Sequence, residues 1–203
     1  MPEGSIMTAH FNTGMPTKTS AGFSTEEFMI FLGTRGPDER WDLVDGVPVM
    51  QTPPTFVHQR IALNLAFLLN SSLPAIRPET FALVEIGVSL PGLSTLRARA
   101  DVAVVAAMAD YVSYTDKFWL VAEIRSESNT PRFIQLKRDR YKRHPDNLYC
   151  LEIEQDKIGV EIWSRRQGWQ SVRYDSPEDL LELPEFGFNC HIKQLYAGTP
   201  VAN

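Results

Sequence analysis

Residues 101–143 read DVAVVAAMADYVSYTDKFWLVAEIRSESNTPRFIQLKRDRYKR. Two nearly continuous apolar runs stand in this stretch, Asp101 to Ala107 and Phe118 to Ile124. Strands covered on both faces read this way, because neither face needs polar side chains. After the second run, Asn129-Thr130 offers a capping oxygen and Pro131 a favoured first helical residue. A helix is therefore predicted over about 131–143, ended by His144-Pro145. Strands followed by a helix, with β-like segments at 148–152, 158–163 and 169–174 beyond it, predict an α/β chain.

The same stretch carries its own chemistry. Asp101 opens the first apolar run, and Glu123 stands near the end of the second. Burying an unpaired charge costs roughly several kcal/mol, so such acids are usually paired or metal-bound. Each could also sit at a strand tip, in water or on an arginine. On the following helix, Phe133, Ile134, Leu136 and Tyr141 define an apolar stripe, and Lys137 falls near its middle. Lysine is seldom placed there without a partner. Its stem could pack while its head reaches water. The sharper expectation is that its ammonium returns over the strand ends to a site lined by the two acids. Two carboxylates suit Mg²⁺, which prefers oxygen ligands. A metal so held activates water and neutralises a scissile phosphate, and an ammonium can orient that water or stabilise the transition state. The pattern points to phosphodiester hydrolysis.

Outward from this centre, residues 1–22 lack periodicity and read as a flexible lead-in. Ser24 with Glu27 forms a capping-box signature for a helix over about 25–32, ending near Gly33. Trp41 to Gln51 reads as a hairpin turning at Asp45-Gly46, with Pro48 marking an edge. Thr55 to Asn70 is the strongest helix, with Val57, Ile61, Leu65, Leu68 and Leu69 on one face. Phe81 to Leu90 reads as a long strand closed by Pro91-Gly92, and the tail as a turn, a short strand and a short helix. A single domain is expected over 23–197.

Several classes are excluded. Two cysteines, Cys150 and Cys190, make neither a disulfide framework nor a zinc cluster. No run approaches the roughly 20 apolar residues of a membrane span. The first residues show no basic region followed by an apolar one, so no secretory signal is read, and a cytoplasmic location is expected. There is no Gly-x-Ser-x-Gly turn and no Gly-x-x-x-x-Gly-Lys loop, which argues against serine hydrolases and NTPases. The net charge of −5 lacks the global basic footprint of a protein that grips long nucleic acid.

The blocks STEEF, WDLVDGVPVMQTPPTFVHQRIA, RADVAVV, WLVAEIRSESN, LKRDRY and GFNCHIKQLY, in this order and spacing, resemble the Uma family of restriction-endonuclease-like proteins. The resemblance runs from about Ser24 to Tyr196. It implies the PD-(D/E)XK nuclease fold, an α+β arrangement in which a mixed central β-sheet is flanked by helices. It also implies a site of Asp101, Glu123 and Lys137, the lysine four residues before Tyr141. Three positions depart from the pattern: Ala100 where a proline is favoured, Glu127 in the loop after Glu123, and Arg125 in the slot of the acid–x–Lys lysine. Arg125 keeps a positive charge but does not easily lose a proton.

The expected activity is a Mg²⁺- or Mn²⁺-dependent endonuclease acting on DNA. Asp101 and Glu123 are its metal ligands, with the Ile124 carbonyl as a further one, and Lys137 acts on the attacking water or the phosphate. Accessory candidates are Glu85 as a third ligand, His58 near a phosphate or the acids, and Arg125. Each has a plainer reading, Glu85 as an edge carboxylate on an arginine and His58 as a hydrogen-bonded structural residue. Arg132, Arg138, Arg140, Lys142 and Arg143 form, with Lys137, the densest basic cluster. It is either a solvated helix face or a footing for phosphates, and a footing gives binding that falls steeply with salt. Other classes stay open. One is a catalytically inactive nuclease-fold module that binds nucleic acid or a protein, favoured by Arg125 and the acidic balance. Another is a homodimer paired through the Trp41 hairpin or the later β segments.

Overall fold

The computed structural model describes residues 22–107, 112–126 and 130–202. The lead-in expected at 1–22 lies outside these, Gly22 excepted, as does the departure at Glu127. The first helix, α1 (Thr25–Leu32), has the full capping box: the Ser24 hydroxyl accepts from the Glu27 N–H, and the Glu27 carboxylate accepts from the Ser24 N–H. The hairpin β1 (Arg40–Val44) and β2 (Val47–Gln51) turns at Asp45 and Gly46, with φ of 52° and 75°. Positive φ at both central residues is what Asp-Gly supplies. On its other side Leu43 exchanges both backbone bonds with Arg97, at 2.8 and 2.9 Å. Pro48 stands opposite Leu43 on β2. Because Leu43 bonds away from β2, the missing N–H of Pro48 costs the hairpin nothing there.

The helix α2 (Phe56–Ile76) runs one and a half turns past the expected end at Asn70. Its buried stripe of Ile61, Leu65, Leu69 and Leu73 continues through the last turn, and this packing outweighs Pro74, which removes one helical hydrogen bond. Next come β3 (Thr80–Val88), β4 (Ala98–Ala106), the short β5 (Tyr114–Thr115), β6 (Phe118–Arg125) and α3 (Pro131–Tyr141). The chain closes with β7 (Tyr149–Glu154), β8 (Val160–Ser164), β9 (Ser171–Tyr174), β10 (Leu180–Leu183), β11 (Phe188–His191) and α4 (Ile192–Leu195). The tail thus holds a hairpin, β10–β11, where one strand is expected from the sequence.

Among the described residues, one mixed sheet has the order β5-β3-β4-β6-β7-β8-β9. Only β3–β5 and β6–β7 are parallel, and α3 makes the crossover between β6 and β7. One face packs Val102, Val104, Leu120, Ala122 and Leu151 against α2 and the tail. The other packs Ala100, Ala103, Phe118 and Val121 against Val44 and the α3 residues Phe133 and Tyr141. The chain is thus three layers, with helices or hairpins on both sides of the sheet.

Two irregularities open the sheet at one place. In a regular strand, residues of equal parity share a face. Yet Ala98 and Ala100 lie in the α3-side core, while Val102 and Val104 lie in the α2-side core. In β3 the same switch separates Ala82 from Val88. Between the Val84–Val102 and Ile86–Ala100 pairs lie Glu85 and Asp101, and Glu85 has a φ of 52°. A left-handed residue there costs about 1 kcal/mol or more. In addition, the β4–β6 ladder stops at Val102–Ala122, although β6 continues beside β7 to Arg125. Asp101 and Glu123 are the next positions, where these two strands part.

Candidate active site

Glu123 sits on the α3 side of β6, and α3 reaches it through two side chains one turn apart. α3 starts where the sequence places it, with the Thr130 hydroxyl accepting from the Phe133 N–H and Pro131 in the first turn. Ile134, Lys137 and Tyr141 are its buried residues, a three-then-four spacing that puts them on one face. Lys137 Nζ donates to Glu123 Oε2 at 2.8 Å, and the Tyr141 hydroxyl donates to Glu123 Oε1 at 3.0 Å. The lysine does not snorkel to water, being 3% exposed.

Lys137 has two further acceptors, Asp42 Oδ2 at 3.4 Å and the Arg99 carbonyl at 2.8 Å. An ammonium has three donors, so all are engaged. Asp42, on β1 and fully buried, also accepts from the Arg99 N–H at 3.1 Å. Asp42 does not stand out in the sequence. Its signal is faint: it shares a face with Val44 in an alternating WDLV, beside an Asp-Gly turn that draws the eye.

On the other side of the fork, Asp101 Oδ2 accepts from the Ile124 N–H at 2.7 Å. This side-chain bond takes up an N–H that the broken ladder leaves without a strand partner. His58, in the first turn of α2, brings Nε2 to 3.2 Å from the same oxygen. It is nearly buried and stands where the helix begins, its N–H capped by the Thr55 hydroxyl. Asp42, His58, Asp101, Glu123 and Lys137 line a cleft of about 1040 Å³ together with Arg40, Glu85, Arg99, Arg125 and Glu154.

The electrostatics follow from three acids sharing one ammonium. Burial pushes the Glu123 carboxyl up to about 8, with Lys137 pulling against it and Asp101 adding to it. Burial also raises Asp42, again opposed by Lys137. The acids Glu123, Asp42 and Asp101 outweigh burial at Lys137 and hold its ammonium well above the usual range. Burial lowers His58, but the hydrogen bond and charge of Asp101 prevail and raise it. Glu123 moves from 4.5 to about 8, so the metal-free folded state binds more protons than the unfolded one between those values. This group's contribution is full below 4.5 and is lost as pH climbs through 8. In EDTA, the urea midpoint of the wild type should therefore fall relative to Glu123→Gln between pH 5 and 8, and level off above. Parallel curves would remove the assignment.

The accessory candidates separate. His58 joins Asp101. Glu85 lines the cleft but is exposed and bound to Arg40 at 2.6 Å, the plainer of its two readings. Arg125 turns to β7, where its guanidinium binds Glu152, with Nε at 3.0 Å, and Glu154 at 3.1 Å. It does not take the lysine's place. Among the described residues no three His, Cys, Asp or Glu side chains group to hold a metal. The basic face of α3 is largely committed: Arg138 binds Glu152 and lies 4.0 Å over the Trp163 ring, and Arg140 Nε binds Asp45 at 2.6 Å. Arg132 and Arg143 remain exposed. No described helix is long and apolar enough to cross a membrane.

Known proteins share this architecture. None of the curated proteins matches the chain. A crystal structure of a "putative nuclease belonging to DUF820" from Anabaena variabilis ATCC 29413 is similar over 86% of this chain and 98% of that one, with a TM-score of 0.69. The two sequences are 16% identical, so the likeness is one of fold. The model of the Uma2 family, described as "Putative restriction endonuclease", matches residues 25–193. With that match running from α1 into α4, the chain belongs to the Uma2 family.

Proposed function

We propose that this protein is a nuclease that hydrolyses phosphodiester bonds of DNA with Mg²⁺ or Mn²⁺, using Asp101 and Glu123 as ligands. One observation carries the reading. Where β4 and β6 part, the two acids occupy the facing positions just past the last paired residues, with a buried lysine bound to one of them. The donor set fits the ion. Mg²⁺ takes one or two carboxylates, keeps several waters and needs no cage of protein ligands. Asp101 Oδ1 has no protein donor among the described residues, and the Ile124 carbonyl lies on the same stretch of β6. Once ionised, the acids carry more charge than Lys137 balances, which a divalent cation would correct. When bound, the ion supplies an activated water and a counter-charge for the scissile phosphate.

The chain's own groups do the rest. Lys137 and Tyr141 each grip one oxygen of Glu123, fixing the carboxylate's direction. His58 and the Ile124 N–H do the same for Asp101 Oδ2, leaving Oδ1 uncommitted to any described donor. The Lys137–Asp42 contact, at 3.4 Å, is the longest of the three ammonium bonds. It is the one that a water or a phosphate oxygen could replace, so Lys137 can act on Glu123 first and on the substrate second. The test is cleavage of plasmid and single-stranded DNA with Mg²⁺ or Mn²⁺. Cutting that EDTA stops supports the reading. No cutting on either substrate favours the inactive nucleic-acid- or protein-binding module.

A further inference from the structure

Arg40, Arg99, Arg125 and Lys137 line the cleft as its strong cations among the described residues. Three are held by acids: Arg40 by Glu85, Arg125 by Glu152 and Glu154, and Lys137 by Asp42 and Glu123. Arg99 differs. Its backbone is fixed at both ends, the N–H on Asp42 and the carbonyl on Lys137 Nζ, yet its guanidinium makes no hydrogen bond or ion pair with any described residue. The side chain is part-exposed on the cleft wall, two residues before Asp101 on β4.

We propose that Arg99 is a substrate-binding residue whose guanidinium takes a phosphate group of the nucleic acid beside the Asp101–Glu123 centre. A guanidinium presents a rigid fork of donors that matches phosphate bidentately. The other cations would have to leave a carboxylate, in part a buried one, without its counter-charge before they could do this. Arg99 has no carboxylate at bonding distance to release; its charge acts on Asp42 only from farther off. The need is real, because Asp42, Glu85, Asp101, Glu123, Glu154 and Asp156 line the same cleft, and a phosphate entering it meets acids on most sides. The anchored backbone fixes where the fork starts, so the group is positioned without being committed.

The identity of the ligand rests on the nuclease reading, but the test needs no turnover. Thymidine 5′-monophosphate, which offers no bond between nucleotides to cut, is titrated into the full chain with Mg²⁺ present, and thymidine serves as the control. The wild type should bind the nucleotide more tightly than the nucleoside. Arg99→Gln should weaken the nucleotide at least about tenfold, the scale of a charge-assisted contact, and leave thymidine unchanged. Arg99→Lys, which keeps the charge and loses the fork, should fall between. Both variants should melt near the wild type, since the backbone bonds to Asp42 and Lys137 remain. Equal nucleotide affinity in Arg99→Gln and wild type would overturn the proposal, as would a wild type indifferent to the phosphate. A protein that binds the nucleotide through Arg99 and cuts no DNA keeps this assignment and loses the nuclease reading. One that cuts DNA while Arg99→Gln binds as the wild type does the reverse.

Discussion

Asp101→Asn should lower metal-dependent cleavage of DNA by about a hundredfold to a thousandfold and leave the fold standing. The amide oxygen can still accept from the Ile124 N–H, the 2.7 Å bond that closes the fork. What disappears is the negative charge. A metal's stabilisation of a developing charge is worth several kcal/mol, and about 1.4 kcal/mol is a factor of ten in rate. Turnover at saturating Mg²⁺ and a thermal melt on the same sample separate the two effects. A variant that cuts at the wild-type rate would remove Asp101 from the chemistry. A variant that neither folds nor cuts would mean that the carboxylate's first duty is structural.

Lys137→Met should have the largest effect on stability. The methionine fills much of the same volume on the buried face of α3, between Ile134 and Tyr141. Its loss of charge leaves Glu123 and Asp42 buried without the ammonium that bonds to both of them. Breaking a buried pair by removing one partner costs about 3–5 kcal/mol. Protonation of the acids softens that cost, so the loss should be smaller at pH 5 than at pH 8. Urea unfolding at the two pH values measures it. The double variant Lys137→Met with Glu123→Gln should recover part of the loss, because one orphaned charge is then gone. If Lys137→Met is as stable as the wild type at pH 8, the ammonium is not the counter-charge that the geometry describes.

The sequence made the sheet and its helices legible where patterning is local. The two apolar runs, the Asp-Gly turn, the Ser24 capping box and the Thr130-Pro131 start each answer to chemistry within a few residues. Lys137 was legible for the same reason, since a helical wheel shows a charge on an apolar stripe. The missed features are non-local. Asp42 depends on a hairpin lying against β4, and nothing within β1 tells that its partner is ninety-five residues away. The left-handed Glu85 and the matching face switch at Asp101 arise between two strands. A single strand's alternation reads instead as regular, and regular alternation sets Glu85 on one face with Phe81 and Leu83. The end of α2 lies past the expected Asn70 because Leu73 continues the buried stripe up to Pro74. The basic run of α3 looked free on the wheel, yet Glu152 and Asp45, which hold Arg138 and Arg140, lie on other elements.

Asp101 and Glu123 together should form one metal site. Mn²⁺ binding, read by titration calorimetry and by the loss of the free ion's electron-spin resonance signal, tests it without any substrate. The wild type should take up Mn²⁺ with release of protons at pH 7, since Glu123 is held protonated up to about 8 before the ion arrives. Asp101→Asn and Glu123→Gln should each weaken binding at least about tenfold, and the double variant should bind none at millimolar Mn²⁺. Binding that survives in the double variant would place the metal elsewhere and remove Asp101 and Glu123 as its ligands.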